Sequence, residues 1–261
     1  MSKDYLHQLF GLDGQVAVVI GGTGVLGGAL CDGLAQAGAL VVVAGRSQER
    51  GEERVRQIEA LGGKAVFSAV DVASRESIQQ LCGKVVNDHS RADILVNCAG
   101  VNSVTPFEQI DEADWRRVLD TNLKATFEAC QFFAAQMASQ KDGGAILNIG
   151  SVTAHLPLSR VFAYSASKAG VVNLTKNVAR EYATKGVRVN VLCPGFFPAE
   201  QNRRILDKER VEHIMRQTPM ARFGEPHELV GPALLLVSRK AGSFVTAAEV
   251  YVDGGFTGMR F

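Results

Sequence analysis

The sequence predicts a doubly wound α/β domain: a single parallel sheet of about seven strands with helices on both faces. Three observations predict it. Short, continuously apolar runs alternate with longer amphipathic stretches along the whole chain. The first apolar run passes directly into a cluster of glycines and then into a helical pattern. Glycine supplies 27 of 261 residues against seven prolines, with no collagen period, a composition of tight turns between regular elements.

Each element follows in order. Val16-Ala17-Val18-Val19-Ile20 reads as the first buried strand. Leu26, Leu30, Leu34 and Ala37 recur at helical spacing over 25–37, and Gly38 ends that helix. Strands are then expected at 40–43, 64–70, 93–96, 144–149, 187–192 and 249–252. Helices are expected at 48–61, 74–87, 111–139, 162–184 and 225–238, the first of these stopped by Gly62-Gly63. No Pro/Ser-rich linker divides the chain, so one domain over 1–261 is expected, with a cofactor half at 14–150 and a catalytic and substrate half at 151–261. The polar segment 196–223 breaks the rhythm at the carboxyl end of a strand, where such insertions build a pocket or its lid.

Composition removes several function classes. Lys+Arg 28 against Asp+Glu 27 leaves a net charge of +1, which gives no global field for nucleic acid or an anionic membrane. There is no apolar run of about 18 residues to span a bilayer and no signal-peptide pattern at the start. The five cysteines, Cys31, Cys82, Cys98, Cys130 and Cys193, are scattered and read as free thiols of a reducing compartment, the cytoplasm. The five histidines are equally dispersed, and no metal site is expected.

In an open α/β sheet a ligand binds beyond the carboxyl ends of the strands, where strand order reverses. The stretch Gly21-Gly22-Thr23-Gly24-Val25-Leu26-Gly27-Gly28 lies between the first strand and the first helix. Bare backbone there admits a pyrophosphate, and the helix N-terminus favours its charge. A tight turn with close helix packing is the plainer alternative. After the second strand comes Ala44-Gly45-Arg46-Ser47, with no carboxylate for a ribose 2′-hydroxyl. Arg46 suits a 2′-phosphate and favours NADP, whereas an Arg46 stacked on adenine suits NAD as well. Asp71, after the third strand, either accepts from the adenine amino group or caps the next helix.

Tyr164 and Lys168 lie four apart at the start of a helix and share a face. Tyrosine ordinarily titrates near 10, and a nearby ammonium is expected to lower it, making the phenol an acid and base near neutrality. Ser151 follows the fifth strand on the same side, placed to hydrogen-bond a substrate carbonyl.

Together these pieces resemble the short-chain dehydrogenase/reductase family from end to end. The glycine turn, Asp71, Asn97-Cys98-Ala99-Gly100, Asn122, Ser151, Tyr164-Ser165-Ala166-Ser167-Lys168, Pro194-Gly195 and Val252-Asp253-Gly254-Gly255 carry the likeness, in order and in spacing. The resemblance implies a Rossmann-type fold and hydride transfer between a nicotinamide and a carbonyl or secondary alcohol. It implies Tyr164 as proton donor and acceptor and Lys168 as ribose ligand and modulator of the phenol. Ser151 then holds the substrate oxygen, and Asn122 positions a water in the relay to Lys168. It implies cofactor contacts at Gly21, Thr23, Gly24, Val25, Leu26, Gly27, Arg46, Asp71, Val72, Asn97, Ala99, Gly100, Tyr164, Lys168, Pro194, Gly195 and Phe197, and a homotetramer or homodimer. The chain departs from the family where Ile20 replaces a Thr, Val25 a Gly, Cys98 an Asn and Ala199 a Thr.

The pocket segment is similar, more narrowly, to the D-mannonate oxidoreductase (fructuronate reductase) branch. Pro157-Leu158-Ser159-Arg160, Pro194-Gly195-Phe196-Phe197, Gln201-Asn202-Arg203 and Thr218-Pro219-Met220 carry that likeness. It implies a sugar-acid substrate held by Ser151, His155, Arg160, Phe196, Gln201, Asn202 and Arg203. The arginines also suit surface ion pairs with Glu200 or Asp207, and Phe196 and Phe197 suit either a pocket wall or the core. Other small ketones, 3-oxoacyl substrates and a dinucleotide-sensing module without turnover are the competing readings.

Overall fold

The computed structural model of the chain describes residues 3–197 and 208–258. Seven strands form one parallel sheet in the order β3-β2-β1-β4-β5-β6-β7. They are β1 (Val16–Ile20), β2 (Leu40–Gly45), β3 (Lys64–Ala69), β4 (Ile94–Asn97), β5 (Gly144–Ile149), β6 (Val187–Pro194) and β7 (Glu249–Val252). The helices are α1 (Lys3–Phe10), α2 (Val25–Gln36), α3 (Gln48–Ala60), α4 (Arg75–His89), α5 (Glu112–Leu119), α6 (Ala125–Ala138), α7 (Phe162–Tyr182), α8 (Lys208–Gln217) and α9 (Val230–Val237).

Alternation along each strand sends neighbouring side chains to opposite faces. Ala17, Val19, Val41 and Val43 enter one core, with Leu30 and Leu34 of α2 and Ala233, Leu236 and Val237 of α9. Val16, Val18, Ile20 and Val42 enter the other, with Ile78 and Leu81 of α4 and Phe133 and Met137 of α6. Both faces of the sheet are therefore covered, as continuous apolar strands require. Strand order reverses between β1 and β4, Ile20 pairing with Ala44 on one side and Asn97 on the other. That reversal opens a crevice at the carboxyl ends of the strands.

The structure corrects several expected bounds. The pattern at 111–139 is two helices, α5 and α6, joined by a π-helical turn at Asp120–Lys124 that holds Asn122. One extra residue in a turn leaves the apolar pattern almost unchanged, so periodicity does not reveal it. The pattern at 225–238 begins as a 3-10 turn, Pro226–Leu229, before α9. The end of 162–184 is likewise a 3-10 turn, Ala183–Lys185. The amphipathic α1 has no counterpart among the expected elements. Ser47, Ser74 and Asp111 cap α3, α4 and α5 through their side-chain oxygens.

Candidate active site

The crevice is a cavity of about 540 Å³ lined by the glycine turn, the start of α2, one face of α3, the loop after β4, and Tyr164 and Lys168 of α7. Its floor needs glycine at two points. Gly21 has φ +88, and a Cβ there would lie 2.6 Å from the Ala99 amide nitrogen. A Cβ on Gly27 would strike the Gly21 carbonyl. Gly24 caps α2 in extended geometry with no side-chain cap, so the first amides of the helix stay available to a ligand. Bare backbone and an uncapped helix N-terminus fit a pyrophosphate. Val25, where the family has glycine, is 41% exposed and lines the cavity. The residues present thus fit a nicotinamide dinucleotide, which when bound supplies the hydride acceptor or donor.

The reacting side chains converge on this cleft. Ser151 leaves β5 in extended geometry and is buried. Its hydroxyl hydrogen-bonds the Tyr164 phenol, which lowers that group, but burial dominates and pushes the phenol up to about 12. Lys168 is buried and donates to the Ile149 carbonyl at 2.7 Å. Its Nζ lies 5.6 Å from the Tyr164 ring centre. Burial lowers this ammonium to about 8. The expected lowering of the tyrosine by its neighbouring ammonium is therefore not what the protein atoms produce. Desolvation is the largest influence on both groups, and it disfavours the charged form of each.

Asn122 ties two walls together. Its Oδ1 accepts from the Val101 amide at 2.8 Å, and its Nδ2 donates to the Val101 carbonyl at 2.9 Å and to Ser167 Oγ at 3.0 Å. Ser167 in turn donates to the Tyr164 carbonyl at 2.6 Å. The π turn is what swings this amide out of the helix repeat to meet the loop after β4. Both side-chain hydrogens are used, so the side chain works as a clasp.

Other expected cofactor residues are placed differently. Gly100 lines the cleft, and Ala99 packs on Gly21. The Asn97 side chain is committed to Asn148 Oδ1 at 2.8 Å, between strands. Val72 and Ala99 line a separate small pocket with Asn97. Asp71 is exposed, and its Oδ1 accepts from the Ala73 amide in the turn before α4; it does not cap that helix, whose cap is Ser74. Pro194 ends β6, and Gly195 donates to the Val252 carbonyl at 2.9 Å. The Phe197 side chain is buried in the core that holds Leu192 and Val252, borders the cavity that Phe196 lines, and does not line the cleft. Arg46 is exposed immediately beyond β2 and does not line the cleft. Arg50, Arg54 and Gln57 of α3 do line it, and Asp32 holds Arg54 at 3.0 Å. Their spacing, three and four residues apart, puts them on one helix face and is legible in the sequence.

The substrate candidates divide. Phe196 stands edge-on to Phe256, centroids 5.0 Å apart, and lines a second cavity of about 390 Å³ beside Tyr251 and Arg222. Arg160 is exposed with φ +64, just before α7. His155 turns to the Glu249 carboxylate at 2.7 Å rather than to Ser151. Gln201, Asn202 and Arg203, with Ala199, lie outside the described residues. Among the described residues, no helix is long and apolar enough to cross a membrane. No cluster of three or more His, Cys, Asp or Glu among them could hold a metal ion.

A fold with this cleft, with Tyr164 and Lys168 in its wall and Ser151 bonded to the phenol, is that of a dinucleotide-dependent oxidoreductase. The chain belongs to the short chain dehydrogenase family, whose model matches residues 15–210. It is 36% identical over 250 residues to gluconate 5-dehydrogenase of Gluconobacter oxydans (strain 621H), covering 95% of this chain and 97% of that one. It is 34% identical over 244 residues to 3-oxoacyl-[acyl-carrier-protein] reductase FabG of Thermotoga maritima, covering 94% and 98%. The crystal structure of a gluconate 5-dehydrogenase from Burkholderia cenocepacia J2315, in complex with NADP and tartrate, superposes with a TM-score of 0.93 at 32% identity, covering 98% and 100%. The protein is an NAD(P)-dependent oxidoreductase acting on CH-OH groups.

Proposed function

We propose that the protein interconverts a keto sugar acid and its hydroxy acid, with NADP preferred, and that D-fructuronate and 5-keto-D-gluconate are its first candidate ketones. One observation carries the chemistry: Tyr164 and Lys168 line the same cleft as a bare glycine turn, and Ser151 hydrogen-bonds the Tyr164 phenol. Ser151 holds the substrate oxygen. Tyr164 delivers a proton to it in reduction and takes one from the alcohol in oxidation. Lys168 binds the nicotinamide ribose beside the phenol. Asn122 fixes the wall on which Tyr164 stands. The sugar-acid class draws support from the gluconate dehydrogenase relative and from the tartrate bound by the solved neighbour. Preference for NADP draws support from the absence of a carboxylate in Ala44-Gly45-Arg46-Ser47 and from the arginines of α3 at the cleft.

A 3-oxoacyl thioester is the second reading, favoured by the acyl-carrier reductase relative. Nicotinamide absorbance separates the two. Wild type is offered D-fructuronate, 5-keto-D-gluconate and an acetoacetyl thioester, with NADPH and NADH in turn. The proposal expects turnover of a sugar acid, faster with NADPH. Turnover of the thioester alone overturns it.

A further inference from the structure

Glu249 opens β7 at the edge of the sheet, and its carboxylate is only 14% exposed. A carboxylate at that depth needs partners, and four side chains supply them. Its Oε1 accepts from the Tyr251 hydroxyl at 2.6 Å and stands 2.7 Å from His155 Nε2. Lys176 of α7 reaches Oε2 at 3.3 Å, and the Cys193 thiol of β6 lies 3.9 Å from Oε1. Burial works against the charge, the bonds from Tyr251, Lys176 and His155 win, and the carboxyl is held below its ordinary range.

Two of these partners grip the segment that carries Ser151. His155 is four residues further on, at the end of the 3-10 turn Val152–Ala154. Cys193 lies under the residue before: a Cβ on Gly150 would come within 2.6 Å of its sulfur, and the Ser151 amide faces that sulfur. Gly150 is also bonded to β6 through the Leu192 carbonyl at 2.8 Å. The Ser151 turn is thus fixed at both ends, and both ends converge on one carboxylate. Glu249 itself does not line the cleft.

We infer that Glu249 is a positioning residue: through His155 and Cys193 it holds the 151–155 turn so that the Ser151 hydroxyl stays opposite Tyr164. The inference rests on the role of Ser151 given above and does not depend on which ketone is the substrate. Neither the glycine turn nor the family motifs include Glu249 or His155. Loss of the carboxylate frees the turn without touching the dinucleotide end of the cleft.

Hydrogen exchange read by mass spectrometry on the full chain with NADPH present tests this directly. In Glu249→Ala, peptides over 151–157 exchange about tenfold faster, while those over the glycine turn 21–27 keep their rate. Glu249→Gln keeps an acceptor oxygen for His155 and Tyr251 and restores most of the protection. His155→Ala reproduces part of the loss, and the double variant loses no more than Glu249→Ala. With D-fructuronate or 5-keto-D-gluconate, Glu249→Ala raises KM for the ketone and lowers kcat, and NADPH affinity by fluorescence stays within about twofold. Unchanged exchange over 151–157, or equal acceleration at 21–27, overturns the inference. If wild type turns over neither acid, the sugar-acid reading has failed, and the exchange result still decides the role of Glu249.

Discussion

Lys168 gives a hydrogen bond to the Ile149 carbonyl at 2.7 Å and leaves its Nζ 5.6 Å from the centre of the Tyr164 ring. Two ionisable groups are thus packed together with their charged forms disfavoured. Burial takes the lysine down to about 8 and the tyrosine up to about 12. The site stores this cost in the folded protein, and the cost has a pH signature.

Below about pH 8 Lys168 is charged in both folded and unfolded chains, and its burial costs on the order of 3 kcal/mol. Between about 8 and 10.5 the folded chain gives up this proton first. The unfolded chain then binds more protons, so stability rises with pH through that window. Tyr164 acts oppositely: the unfolded phenol ionises from 10 and the folded one only near about 12, so stability falls there. Lys168→Met removes the rise. Urea unfolding of both proteins across that range, without added dinucleotide, is expected to show the variant more stable below 8 and the gap closing towards 10.5. Parallel curves would exclude a buried ammonium.

Tyr164→Phe keeps the ring and removes the hydroxyl that carries the proton. Turnover should fall by about 10²–10⁴, the usual worth of a positioned acid and base, while dinucleotide binding is kept. Ser151→Ala loses the oxygen that faces the phenol and should fall similarly, with KM for the ketone raised. Stopped-flow absorbance for turnover and fluorescence titration for binding separate the two effects. A Tyr164→Phe protein of undiminished rate would support a sensing module over an enzyme.

Much of this is written plainly in the chain, for a physical reason. Strands such as Val16–Ile20 are buried on both sides and must be apolar throughout, and the turn at Gly21 tolerates no Cβ. Those constraints act on residue type at fixed spacing, so the sheet and the cleft floor are readable. Ser151, Tyr164 and Lys168 are readable because a known family fixes the same spacing. What is not readable depends on long-range placement. Phe197 looks the same in a core as in a pocket wall, and the fold uses it as both. His155 meets Glu249 across 94 residues, and no local pattern announces that pair. The π turn at Asn122 costs one residue of phase, too little for periodicity to register.

Gly21→Ala separates fold from binding. The residue has φ +88, and an added methyl would press on the Ala99 amide at 2.6 Å. Backbone strain of about 1–3 kcal/mol follows, before any effect on ligand. Thermal unfolding should move down accordingly. Dinucleotide affinity should fall further than that strain accounts for, because the turn must shift away from the uncapped start of α2. Calorimetric titration on the folded variant measures the second loss. An affinity equal to wild type would mean that the glycine serves packing alone.

The proposed preference for NADP is tested at the cations near the end of β2 and on α3. Arg46 is exposed just past β2, while Arg50 and Arg54 line the cavity from α3 and Arg54 is held by Asp32. A cation without a fixed partner is freer to take a 2′-phosphate than one already paired. Arg46→Asp replaces that cation with a carboxylate that accepts from a 2′-hydroxyl and repels a phosphate. A charge-assisted bond is worth about 1.5–3 kcal/mol, so NADPH affinity should drop roughly ten- to a hundredfold while NADH affinity holds or improves. Arg50→Ala should lower NADPH affinity less, without helping NADH. Titration of both dinucleotides against the three proteins reads the outcome. Equal losses for NADH and NADPH in Arg46→Asp would move the discrimination from the end of β2 to the face of α3.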